Sequence, residues 1–400
     1  MTTNRPQPAR AIARPRPGVS ADGGASASAG ASGAVARPRP QAASNGAAAV
    51  DRGPEQLVEP DVRNARRAIE YYYEKGWTDG LPVVPPIQEF VDEFLATTAE
   101  SPDKVILTQD HLNRTCNIRQ AAINAVMAGC KPEYFPVLLG IIDAFESGGG
   151  GGGLLQSTTG QGQLVVINGP VRDEIGINYL ENILGPGDRA NSTIGRALRL
   201  IVLNVLGIRP HEFDQSTQGT PIKYSGVIGE NENDSPWEPL HIERGYSPDT
   251  STATIQMVRS DLHVEHRSTQ SPEEIMNTIA DSMSYAGGIY EAPPYNRNNG
   301  SVIVMGPEHA NIIAGKGWKK QEVKQYLWER FGKTKGELRT YGKIIGLEDF
   351  SDDDFIHSTG SVDNILLVVS GAANAGVTTV FSGFVSRNAT RPIPPNHAAT

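Results

Sequence analysis

Residues 185–241 read GPGDRANSTIGRALRLIVLNVLGIRPHEFDQSTQGTPIKYSGVIGENENDSPWEPLH, and the fold class turns on how this stretch divides. A Gly/Pro turn at Gly185–Gly187 opens an apolar run to about Leu206, with Asn191, Ser192 or Thr193 as the expected N-cap and Gly207 as the stop. Lys223–Gly229 then alternates like a strand and ends in Glu230, Asn231 and Glu232, before Pro236 and Pro239 fix Trp237 and Glu238 ahead of His241. A helix delivering a strand whose end carries charge is the unit of an α/β protein.

Downstream the same alternation continues. Ala253–Val258, Ser301–Met305 and Ile365–Ser370 read as strands, and Pro272–Tyr285, Pro307–Ala314 and Gln321–Phe331 as helices. Upstream, helical spacing begins near Val62, breaks at Gly76, and resumes at Gln88–Ala99 after the proline-stiffened WTDGLPVVPP segment. Two apolar helices follow, one capped by Thr115 or Asn117 and stopped by Gly129, the next opened by Pro132. A six-glycine run at Gly148–Gly153 precedes the strand Gln163–Asn168. The expectation is an α/β fold of two packed mixed lobes, a helix-rich one over 59–248 and a second over 249–400. Residues 1–58, rich in Ala, Gly, Pro and Arg with two RPRP repeats, read as a disordered arm.

Composition narrows the function classes. The arm holds seven arginines and three acidic residues, so the rest of the chain carries 29 basic against 42 acidic residues, which argues against nucleic-acid binding by the folded part. No apolar run reaches the roughly 18 residues of a membrane span, and no secretory signal is evident. Cys116 and Cys130 are the only cysteines, too few for a disulfide framework. A cytoplasmic protein, self-associating into a homo-oligomer, is the expectation.

Candidate chemistry gathers in three places. Carboxylates and an imidazole in close sequence, Glu230, Glu232, Glu238 and His241, supply a general acid and base or the oxygen and nitrogen ligands of a divalent metal ion. The start of the 185–206 helix, with Arg189, Asn191, Ser192, Thr193 and Arg196, together with Lys223, forms an expected site for a small anionic substrate. An alternative for Arg196 and Arg199 is pairing with acidic side chains of the core. Glu308 and His309 sit just after a strand, a usual place for active-site groups in α/β sheets. Cys130, beside Lys131 and ahead of a helix, is either a nucleophile or a packing residue, and its apolar flanks favour packing. In LHVEHR an extended backbone places His263 and Glu265 on one face and His266 on the other, which is awkward for a metal clamp.

The segments GWTDGLPVVPP, AINAVMAGCKPEY, INGP, GPGDRANSTIGRALRL, ENENDSPWEPLHIERG and MGPEH resemble a poorly characterised bacterial family associated with UGSC-type (seleno)proteins, over about Gly76 to Pro394. The resemblance implies a fused or neighbouring module of a UGSC-type system; in the alternative of a non-catalytic scaffold for a redox-active protein, the RPRP-containing N-terminal arm is the docking element for the partner. This chain has no UGSC sequence, and Thr158, Thr159, Gly160 and Gln161 stand where the family has TTHP, so neither thiol chemistry nor that histidine carries over. The leading expectation is an enzyme of hydratase, lyase or hydrolase type acting on a small anionic metabolite by acid–base or metal-assisted chemistry. The alternatives are a non-catalytic scaffold and a thiol enzyme using Cys130.

Overall fold

A computed structural model describes residues 65–148, 154–156, 158–285, 287–288, 290, 298–383 and 388–397. The expectation of a disordered arm over 1–58 therefore lies outside the described residues. The elements run α1 (Ala65–Glu74), α2 (Gln88–Leu95), β1 (Val105–Gln109), β2 (Arg114–Asn117), α3 (Ile118–Ala128), α4 (Phe135–Ser147), β3 (Gly162–Asn168), α5 (Val171–Glu174), α6 (Arg189–Asn204) and β4 (Val227–Gly229). They continue with α7 (Leu240–Glu243), β5 (Thr252–Glu265), α8 (Pro272–Met283), β6 (Ser301–Met305), α9 (Pro307–Gly315), α10 (Lys320–Trp328), β7 (Gly332–Thr334), α11 (Lys335–Arg339), β8 (Phe355–His357), β9 (Ile365–Val369), β10 (Val377–Gly383) and β11 (Ala389–Pro392).

The fold is α/β, built on a mixed sheet ordered β4-β3-β5-β10-β6-β9, with β11 also paired to β5. Only β3 with β4 and β6 with β9 run parallel. The sheet curls into a half-barrel. Its two edges meet at the C-terminal ends of β4 and β9, where the Asn231 N–H donates to Val369 O at 2.8 Å and Ser370 Oγ donates to Gly229 O at 2.6 Å.

Strand periodicity explains the layers. Side chains alternate across a strand, so Leu164, Val166, Ile228, Val302, Val304, Leu366, Val368 and Phe381 fill the concave side. Their neighbours face outward. Val165, Ile167, Ala253, Ile255 and Met257 pack with α3, α4 and α6, whereas Ile303, Met305, Leu367, Val369 and Val380 pack with α8, α9 and α10. Strands buried on both faces read as continuous apolar runs, which is why LVVI and ILLVV look as they do.

The topology contains a repeat. A helix entered through Pro-Glu (Pro132–Glu133, Pro272–Glu273) leads to a strand ending in Gly-Pro (Gly169–Pro170, Gly306–Pro307). A crossover then leads to a parallel strand, and a last strand returns antiparallel on the other side of the first. The first unit orders its strands β4-β3-β5 and the second β9-β6-β10, and β5 joins β10. In packing, β5 belongs with the first unit although it follows residue 248, and one sheet runs through both halves.

Several expected boundaries move. The strand foreseen over Lys223–Gly229 begins only at Val227, because Pro221–Lys223 forms a 3-10 turn that swings Lys223 toward Asp214. The helix expected to be capped by Asn191, Ser192 or Thr193 starts at Arg189 with Asp188 at the N-cap, its first turn closed by the Ser192 N–H on Asp188 O at 3.1 Å. Asn117 caps α3 through a reciprocal box with Gln120, and Gly129 ends it in the left-handed conformation.

Candidate functional site

The end of β4 delivers Glu230 and Glu232 into a closed polar cluster. Asn168, the last residue of β3, donates through Nδ2 to Glu230 Oε2 at 2.6 Å and to Glu232 Oε1 at 3.0 Å. Glu230 Oε2 also accepts the Leu240 N–H at 2.8 Å, and Glu232 Oε1 accepts the Gly169 N–H at 2.8 Å and pairs with Arg172 Nε at 3.2 Å. Arg172 is buried on the first turn after the Gly169–Pro170 break and donates as well to Glu230 O. Burial pushes the Glu230 carboxyl up, opposed by the Lys320 ammonium and the Leu240 and Asn168 donors. His241 joins this cluster, its Nδ1 lying 3.8 Å from Glu232 Oε1, and neither ring nitrogen has a hydrogen-bond partner. Glu238 does not join, since its side chain is exposed and only its carbonyl is used, by Lys320 Nζ at 3.1 Å.

Of the residues expected to bind an anion at the start of α6, Arg189, Asn191, Thr193 and Arg196 are engaged in holding the fold. Arg196 grips Asp79 with Nε at 2.8 Å and Nη2 at 2.9 Å, and donates to the carbonyls of Leu81 and Pro82. It thus pins the proline-stiffened segment, as the alternative of pairing with an acid anticipates. Arg189 donates to Gly129 O and Cys130 O, Asn191 bridges Asn178 to Val227 O, and Thr193 Oγ1 donates to Arg189 O at 2.8 Å. Ser192 and Asn191 line a cavity of about 250 Å³ that also touches Asp261 and Phe381. An acidic N-cap, Asp188, stands where an anion would sit.

Cys130 is buried between α3, α4 and α6, and burial pushes its thiol up to about 12, against the pull of Thr193, Arg189 and Arg196. A nucleophilic thiol needs the opposite shift. His309 is buried in the second unit with both ring nitrogens engaged, Nδ1 with Thr378 Oγ1 at 2.9 Å and Nε2 with His266 O at 3.0 Å. The structure therefore gathers Glu230, Glu232 and His241 and leaves Glu238, His309, Cys130 and the α6 residues elsewhere. Among the described residues no group of three or more His, Cys, Asp and Glu could hold a metal ion.

Lys223 leads to a site that the sequence reading did not assemble. A cavity of about 760 Å³ is walled by parts of the segment 210–224, among them Asp214, Ser216 and Lys223, together with Thr78, Asp79 and Arg199. Into its wall the buried Asp214 accepts from Arg199 Nη2 at 2.9 Å and from Lys223 Nζ at 2.8 Å. Lys223 Nζ also donates to Ser216 Oγ at 2.9 Å, and Ser216 Oγ donates to Asp214 Oδ1. Burial alone would raise the Asp214 carboxyl, but the donors Lys223, Ser216 and Arg199 override it and hold it far below the usual carboxylate range. Burial and the nearby Arg199 lower the Lys223 ammonium despite Asp214. At the edge of this loop Gly160 sits at φ +74, and a Cβ there would lie 2.6 Å from Gly219 Cα, so only glycine lets the two turns close. The cavity group sits before β4 and the Glu230 cluster after it, so one short strand separates them.

Arg199 was visible as a polar flank on an apolar helix, but Asp214 and Ser216 lie in HEFDQSTQG, which has no periodicity and reads as an ordinary loop. Compared with protein-family models and with curated proteins, the chain matches none. No helix among the described residues is long and apolar enough to cross a membrane.

Proposed function

We propose that this protein is an enzyme acting on a small anionic metabolite, and that the metabolite binds in the cavity walled by Arg199, Asp214 and Lys223. One observation carries the reading: two cations, the buried Arg199 and the half-buried Lys223, share the single buried carboxylate of Asp214 on the wall of a cavity large enough for a metabolite. A buried charge without a counter-charge is costly, so the surplus positive charge is relieved either by a bound anion or by loss of the Lys223 proton. Both outcomes suit acid–base chemistry of hydratase, lyase or hydrolase type. That form, rather than a metal-assisted one, is what the cavity's side chains supply. The anion-binding role expected of Lys223 stays; that of Arg196 passes to Arg199.

Thermal unfolding in the presence of small carboxylates and phosphates tests this. A ligand at a hundred times its Kd stabilises by about 2.7 kcal/mol, and Lys223→Met is expected to weaken the response at least about tenfold in concentration. A wild-type protein indifferent to every small anion at millimolar concentration overturns the reading.

A further inference from the structure

We propose that Ser216 is a nucleophile activated by Lys223, and that the cavity hydrolyses small carboxylic esters or thioesters that carry a second, anionic group. This rests on the reading of the cavity as an anion site and assigns its reaction. Ser216 is half-buried on the cavity wall with its Oγ 2.9 Å from Lys223 Nζ, within the reach a base needs to take a hydroxyl proton. Asp214 bonds both partners at once and fixes their mutual position, as the third member of a nucleophile–base pair does. Arg199 already balances Asp214, which leaves Lys223 as the group able to release its proton.

The arrangement gives a balanced course. Lys223 first loses a proton to solvent, and the 2.9 Å contact then reverses, with the Ser216 hydroxyl donating to Nζ. As Oγ attacks the carbonyl carbon, its proton passes to Nζ, and the carbonyl π pair moves onto oxygen. Collapse of that adduct breaks the bond to the alkoxide or thiolate, which leaves with the proton from Nζ. The acyl group stays on Oγ. Water then gives a proton to Nζ as it attacks the acyl carbon; the C–Oγ bond breaks, Oγ takes that proton back from Nζ to restore the serine, and the carboxylic acid leaves. Arg199 bonds Asp214 through Nη2, and the rest of its guanidinium, on the same wall, is placed to take the anionic group of the substrate while that bond persists.

Four titratable or charged side chains face the pair: Asp214, which bonds both members, Arg199, which bonds Asp214, and Asp79 and His211 elsewhere on the cavity wall. Asp79 is already bonded to Arg196. Acylation should therefore rise with pH as Lys223 deprotonates.

The test uses the full chain and mono-p-nitrophenyl succinate, an anionic active ester. Release of nitrophenolate is followed at several pH values, and peptide mapping locates any succinyl group. The expected result is acylation at Ser216 that rises with pH, is abolished in Ser216→Ala and falls about a hundredfold in Lys223→Met, the low end of what a positioned proton acceptor supplies. Binding of succinate itself is measured by thermal shift in the wild type and in Ser216→Ala, whose persisting shift also certifies its fold. Succinate binding with no acylation of Ser216 above the Ser216→Ala background overturns the nucleophile and leaves the anion site standing. Absence of both overturns the two together.

Discussion

The two units of the sheet turn the same corner with different chemistry. In the first, β3 ends at Asn168 and runs through Gly169–Pro170 to Arg172, while the parallel strand β4 is followed directly by Glu230–Glu232. In the second, β6 ends at Met305 and runs through Gly306–Pro307 to His309, while β9 is followed by Ser370–Gly371 and then alanines. Arg172 and His309 thus hold equivalent places, two residues past the proline. Arg172 ties down two carboxylates, whereas His309 ties a threonine hydroxyl to a backbone carbonyl. The Gly-Pro break is the shared device, and its second residue onward is where the units diverged. The second unit uses its corner to hold β10 and the end of β5; the first concentrates charge next to the seam between β4 and β9.

Removing the cation from the first corner should have the larger effect. Arg172→Met leaves the Glu230 carbonyl without its side-chain donor and Glu232 without its counter-charge, with only the neutral Asn168 and Gly169 donors remaining, and we expect a loss of about 3–5 kcal/mol in urea unfolding. His309→Leu removes two neutral hydrogen bonds and strands Thr378 Oγ1 and His266 O, so about 1–3 kcal/mol is expected. The pH dependence separates them further. Burial lowers the His309 imidazole in the folded state, so its contribution is present above the unfolded value of about 6.5 and is lost as pH falls below it. His309→Leu should therefore flatten the loss of stability on acidification from pH 7 to 5, and an unchanged slope would refute the buried neutral histidine. Equal losses for Arg172→Met and His309→Leu would erase the distinction between the corners.

Much of the sheet was legible because burial on both faces writes an apolar run into the chain: LVVI, SVIVM and ILLVV are each strands. The helix boundary at Gly129 was legible for a local reason, a left-handed C-cap. What escaped is what depends on distant partners. Val377–Gly383 is rich in β-branched residues, yet it follows a Gly/Ala loop with no periodicity, and its strand β10 is what joins the two units. The repeat escaped because its signals are two dipeptides, Pro-Glu and Gly-Pro, set in otherwise different sequence. In the candidate sites, Glu230, Glu232 and His241 were legible as a knot of charge. The partnership of Arg199, Asp214, Ser216 and Lys223 was not, because a turn of a loop creates it.

The entry to α4 offers a third, smaller contrast. Cys130 precedes Lys131–Pro132–Glu133 in the first unit, and the exposed Gln270 precedes Ser271–Pro272–Glu273 in the second. The thiol is there for packing: Cys130→Ala should cost about 1–2 kcal/mol through a small cavity, and native Cys130 should resist iodoacetamide at pH 7 until the protein unfolds. Labelling of the native thiol as fast as that of a free peptide would contradict the buried, raised thiol and return chemistry to this helix junction.

The smallest effect is expected at His241, and it bears most directly on whether the first corner is a site or a scaffold. The imidazole is buried in the Glu230–Glu232 cluster with neither nitrogen bonded, so the fold gains its packing but no hydrogen bond from it. An apolar side chain of similar volume keeps the packing and removes two unmet polar atoms, a change that is nearly neutral when nothing is left unpaired. His241→Leu should accordingly shift stability by less than about 1 kcal/mol in either direction. His241→Asn, which keeps polarity but gives up volume, should be the worse of the two. If His241→Leu instead costs more than about 2 kcal/mol, the ring holds a partner in solution. In that case a water or ligand bridging it to Glu232 across the 3.8 Å gap becomes the object to find, and the cluster takes on the chemistry assigned here to the cavity.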